Sequence, residues 1–267
     1  MSRYAPKNAE KKEKHGKKRV LSKILIVIFA AVFAVSAFMV GKYFFTAQKE
    51  QQVFDELASI VSDNTSATEP PNGKPLPEYE PLWEKNPDYF GWLKIDDTVI
   101  NYPVMYTPKD SEYYLHRDFY GDYSESGMLF IDGDCRTDSN YMLIYGHHMN
   151  SGAMFGTLPS YGDYDFWKSH SAIHFNDRYK KNNYKVFAAF YAKVYDESDK
   201  THFKYYEWKD LSAESSFNEY IENVKSMSVY DTGITPTYGD EIIALSTCNY
   251  HTKDGRFVVV AVKQKKN

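Results

Sequence analysis

Apolar and polar positions follow three different rhythms along this chain. Residues 24–40 contain no charged side chain, and the apolar character persists to residue 45 with Lys42 as the one interruption. About 20 such residues, rising 1.5 Å each, cross a hydrocarbon layer of about 30 Å, so the run predicts a membrane-spanning helix. Behind it, Val53, Leu57, Ile60 and Val61 keep a weaker helical spacing, suited to a stalk or to packing on the next domain. Residues 64–81 hold five of the eleven prolines among Ser, Thr, Asn and Gly, a linker composition that buries no core. From Leu82 onward the rhythm shortens. Strands are predicted at 91–95, 98–104, 127–132, 141–147, 172–175, 184–195, 241–247 and 256–262. Turn residues separate them, which points to a mainly β architecture, an antiparallel sheet or barrel. One stretch, 212–227, places Phe217, Tyr220, Ile221, Val224 and Met227 on a single helical face, with Ser212 as a candidate cap.

Composition adds little to this outline until charge is located. The net charge of −4 hides nine Lys/Arg against two Glu in residues 1–23, which leaves the remainder eleven net negative. A basic arm alone would suit nucleic acid, but here it abuts the apolar run, so it predicts a cytoplasmic flank with the bulk of the chain outside the cell. Val35-Ser36-Ala37 offers a signal-peptidase site as the alternative to a retained anchor, and a buried core helix is a further one. The apolar run exceeds a signal's usual 7 to 15 residues, which favours the anchor. The expected organisation is therefore a basic tail at 1–23, an anchor at 24–45, a stalk and linker at 46–81, and an extracellular domain at 82–267. Aromatic residues make up 17% of the chain, 24 of them tyrosine, which suits pleated surfaces.

The chemistry concentrates at strand ends. In residues 245–262 a buried strand ends at Cys248, Asp254-Gly255 signals a turn, and Arg256 opens the returning strand. If these strands pair antiparallel, thiol and guanidinium share one rim. A second apolar strand stops at Gly146 and delivers His147. A nucleophilic thiol beside an imidazole and a fixed cation suits covalent acyl chemistry. Taken singly, each has a plain alternative: a buried small Cys, a turn Gly-His, an Arg at a sheet edge. With two cysteines there is no disulfide framework, although a Cys135–Cys248 bridge is conceivable. Zinc held by His147, His148, His251 and Cys248 lacks the spacing of a metal motif, so no metal or other cofactor is expected.

Leu245-Ser246-Thr247-Cys248, Gly146-His147 and Arg256 together resemble the sortases, cysteine transpeptidases of Gram-positive cell surfaces. The helix before the Cys strand, Tyr113-Tyr114-Leu115 and Phe166-Trp167 are similar to class B members. The resemblance covers residues 82–267. It implies a closed β-barrel of about eight strands with peripheral helices, preceded by one transmembrane helix. It also implies Cys248 as nucleophile, His147 as proton donor and acceptor, and Arg256 at the oxyanion or the substrate backbone. Leu115 and Ser246 map to the family's substrate groove, and Thr247 to the residue beside the nucleophile. The groove match departs where the family often carries Asn and this chain has Ser111. The implied partners are secreted proteins with a carboxy-terminal sorting motif, a cell-wall precursor amine and the membrane, with no nucleic acid. A pilin-linking sortase or a cysteine endopeptidase is the enzymatic alternative. A surface-displayed binding domain with an adhesive tyrosine face is the non-enzymatic one.

Overall fold

Eight strands form where the period-two pattern places them. They are β1 (Tyr89–Lys94), β2 (Asn101–Met105), β3 (Leu129–Ile131), β4 (Tyr141–Tyr145), β5 (Ala172–Asp177), β6 (Asn183–Lys193), β7 (Ile242–Cys248) and β8 (Gly255–Lys263). The structure, a computed structural model, describes residues 7–64, 73–248 and 254–265, with side chains from residue 21 and without that of residue 248. The strands close into a barrel in the order β1-β2-β3-β4-β7-β8-β6-β5, and β5 returns to β1. β8 is Val-rich because both of its faces are covered: Phe257 through Val262 are all buried. Each such Val contributes about 1.5–3 kcal/mol on burial.

Two pairs depart from the antiparallel arrangement expected of the sheet. β2 pairs with β3 in parallel, and β4 pairs with β7 in parallel. Parallel neighbours need long crossovers, and β4 reaches β7 only after β5, β6 and two α-helices have intervened. A period-two pattern is the same for both pairings, so the sequence carries no sign of the difference.

The helices are α1 (Lys7–Asn64), α2 (Glu80–Lys85), α3 (Tyr164–Ser169) and α4 (Glu214–Met227). α4 buries Phe217, Tyr220, Ile221 and Val224 as its spacing predicts, and it packs on β6. Ser212 does not cap it. Ala213 holds the N-cap position, and the Ser212 hydroxyl donates instead to Asp210 Oδ2 at 2.9 Å, a local bond that competes with capping. In α3, the cap is made by Asp163, whose Oδ1 accepts from Asp165 N and Phe166 N.

The chain divides into two compact units at Gln51 and Gln52. Among the described residues one helix, within Leu21–Asn64, is long and apolar enough to cross a membrane, with a window of mean hydropathy 2.8 that has none of its surface buried. The second unit opens with the last turns of α1. Phe54 and Leu57 are buried there, and the Phe54 ring meets Tyr102 edge-on at 5.0 Å. Leu76 and Tyr79, in the Pro-rich stretch, are buried as well. Glu78, also buried, pairs with Lys181 at 2.7 Å. Core packing thus extends amino-terminal of Leu82.

Candidate active site

The residues singled out for chemistry converge on one rim of the barrel. β7 and β8 are antiparallel with Cys248 directly opposite Arg256, so the end of one strand faces the start of the other. β4 runs parallel to β7, and Gly146 N donates to Ser246 O at 3.1 Å immediately beyond the strand. The Thr247 hydroxyl donates to Gly146 O at 2.8 Å. These two bonds hold the backbone that carries His147 against the backbone that carries Cys248, 101 residues later. The side chain of Cys248 and residues 249–253, His251 among them, lie outside the described residues. Asp254, preceding β8, takes the left-handed backbone (φ 60) that the Asp-Gly turn signal anticipates.

His147 is half-buried, and its Nε2 lies 2.8 Å from the Leu115 carbonyl oxygen. A carbonyl oxygen only accepts, so Nε2 carries the hydrogen and Nδ1 is the nitrogen left to exchange a proton. Burial holds this imidazole below its ordinary pKa, and nearby His116 adds to the lowering while the Leu115 bond opposes it. The ring therefore rests neutral at pH 7. Arg256 is half-buried, with Nη1 donating to Gly255 O at 3.0 Å.

The remaining expected residues take less exposed places. Ser246 is fully buried and its hydroxyl meets that of Tyr205 at 2.7 Å. Thr247 is buried and spends its hydroxyl on Gly146. Leu115 is half-buried on the 3₁₀ turn Tyr113–His116 and enters the site through its carbonyl. Ser111 accepts from Gly133 N at 2.8 Å. His148 forms an isolated bridge with Met154. Cys135 is a free, buried thiol, which removes the disulfide alternative, and burial pushes its pKa up to about 11, so it stays protonated and inert.

Tyr205 and His116 belong to the same neighbourhood, and nothing in their local sequence marks them out. Tyr205 sits on a short 3₁₀ turn in the connection from β6 to β7, and His116 is the residue after Leu115. Among the described residues no group of three His, Cys, Asp or Glu is placed to hold a metal. A cleft of about 1010 Å³ lined by Lys180, Lys181, Asp240, Glu241 and Lys263 lies where β7 begins and β8 ends, away from this rim.

The chain is similar in sequence and in fold to known proteins. The sortase domain family matches residues 93–264. Sortase B of Listeria monocytogenes is 32% identical over 248 residues, covering 91% of this chain and 96% of that protein. Sortase B of Bacillus anthracis, solved in complex with AAEK1, superposes with a TM-score of 0.71 at 29% identity, covering 84% of this chain and all of that one. The Staphylococcus aureus sortase B–substrate complex gives a TM-score of 0.71 at 26% identity, again covering 84% of this chain and all of the other.

Proposed function

The chain belongs to the sortase family, in its class B, whose members are cysteine transpeptidases, and from that premise we propose that it cleaves a carboxy-terminal sorting motif of secreted proteins and transfers them to a cell-wall amine. The observation that carries this reading is the meeting of three strand ends: Cys248 opposite Arg256, with Gly146-His147 tied to β7 through Ser246 and Thr247.

The residues divide the work by their chemistry. The Cys248 thiolate attacks the scissile carbonyl, and the C–N bond breaks to leave a thioester and an amine. His147 Nδ1 takes the proton that leaves the Cys248 thiol as the thiolate forms, and the imidazolium gives it to the departing nitrogen. In the second half the ring takes a proton from the incoming amine, which displaces the sulfur and forms the new amide. Arg256 cannot lose its proton, so it stabilises the oxyanion or holds the substrate backbone. Thr247 and Ser246 keep the groove floor in register, Ser246 together with Tyr205, and Leu115 lines its side. The apolar run of α1 anchors the enzyme, with the basic residues before it in the cytoplasm and the barrel outside. That the S. aureus relative was solved as a substrate complex supports this reading.

Cys248→Ala is expected to abolish cleavage of a sorting-motif peptide, and mass spectrometry should detect the thioester on the unaltered enzyme but not on the variant. Turnover retained without that sulfur would remove the nucleophile from this account. Adding a wall-type amine should divert the product from acid to amide; a product that stays entirely hydrolytic would make the protein an endopeptidase instead.

A further inference from the structure

We propose that His116 is a positioning residue for His147, its stacked ring fixing the plane in which the catalytic imidazole presents Nδ1. The inference rests on the reading of His147 as the proton-transfer group. The two rings lie nearly parallel, 27° apart, with centroids 5.2 Å from each other. The single bond from Nε2 to the Leu115 carbonyl holds one edge of the His147 ring and leaves rotation about that line free. A second ring lying flat against the first removes that freedom. Both restraints come from one short segment, since Leu115 and His116 are adjacent on the turn Tyr113–His116.

That turn is itself held. Met128 N donates to Tyr114 O at 3.0 Å and Ser124 N to His116 O at 3.2 Å. The Tyr114 hydroxyl accepts from Asn86 Nδ2 at 2.8 Å and donates to Asp88 at 3.0 Å. Gly127 has φ 56, and a Cβ there would come within 2.3 Å of the Leu115 oxygen, so the close approach that braces the turn needs glycine. Tyr123, 75% exposed, also stacks on His116, with planes 24° apart and centroids at 6.5 Å. His116 is exposed too, so no demand of the core accounts for its ring lying against His147. Among the described residues, the titratable and charged groups at this rim include His116, Tyr123 beside it, His148 next along the chain and Arg256 at the start of β8, with Cys248 at the end of β7. Of these, His116 stacks on His147, and its cationic form opposes a second positive charge there.

The test compares His116→Ala with His116→Phe in the full chain, using a peptide selected from a library for cleavage by the unaltered enzyme. His116→Ala should lower kcat about tenfold, with KM within about twofold and the melting temperature unchanged, because orientation of the proton donor is lost while binding is kept. His116→Phe restores a ring without a charge and should bring kcat back to within about threefold. In both variants the His147 resonances, followed by NMR, should titrate at higher pH than in the parent, since a like-charged neighbour has gone. Unchanged kcat and an unchanged His147 titration in His116→Ala would overturn the proposal. So would a loss of activity that tracks a fall in melting temperature. His147→Ala and Cys248→Ala separate the two levels: if either turns over normally the proposed function fails, whereas inactive controls beside a silent His116→Ala sink only this inference.

Discussion

Gly146 shows how a single residue serves both packing and chemistry. A Cβ there would stand 2.5 Å from Leu129 Cδ2 and 2.6 Å from Phe155 Cδ2, so the residue that precedes His147 has to be the smallest one. Gly146→Ala forces overpacking of about 1–3 kcal/mol. Thermal unfolding should show a fall of several degrees, and kcat should drop more than KM rises, because the displaced backbone is the one that carries the imidazole. The Gly-His pair is legible in the sequence as a motif, but its reason lies in Leu129 and Phe155, which local spacing does not connect to it. Cys248, His147 and Arg256 are legible for a different cause: reactive residue types at the ends of apolar runs stand out without any fold. Tyr205 does not stand out, since one tyrosine among 24 has no distinguishing neighbour, and only the fold brings its hydroxyl to Ser246.

At the level of elements, all eight strands and the long helix before β7 follow from periodicity, while their partners do not. The segment from Tyr205 to Leu211, between β6 and α4, lies beside β4 and β7 and is secured by charge. Lys209 Nζ meets Asp132 Oδ2 at 2.5 Å, Tyr145 donates to the same oxygen at 3.3 Å, and Asp132 is 7% exposed. Lys209→Ala leaves a buried carboxylate without its cation, at a cost of about 3–5 kcal/mol. Urea unfolding should register that loss. Limited proteolysis should then cut within 203–211 faster than in the parent, because the ion pair is one of the ties, with the Tyr205–Ser246 bond, that pin this connection to the barrel. Equal cutting rates would show that the aromatic contacts of Phe203 and Trp208 with Tyr220 hold it without help. No sequence spacing relates Lys209 to Asp132, 77 residues earlier, so this tie is visible only in three dimensions.

For the molecule as a whole, the apolar run and the barrel are separable in sequence, but the border between them is drawn by packing. A chain beginning at residue 82 loses Phe54, Leu57, Leu76 and Tyr79, all buried, whereas one beginning at residue 52 keeps them. Removing the Phe54 ring alone is worth about 3–5 kcal/mol, so the shorter chain should unfold at a clearly lower urea concentration than the longer one. Equal midpoints would mean that the second unit is stable without those four side chains. The helical spacing of Val53, Leu57, Ile60 and Val61 leaves a stalk or packing on the next domain open, and Leu76 and Tyr79 are concealed among proline and polar residues that give no period. What the amino-acid order determined unaided was the apolar span and its charge flank, the β-rich class, the place of each strand and three candidate side chains for chemistry, because hydrophobic period and residue chemistry are local properties. Tertiary structure alone decided that β4 lies parallel to β7 and that Leu115 and His116 attend His147, and it chose packing over a free stalk for the end of α1. A burial pattern records which faces avoid water, and it holds no information about which distant face covers them.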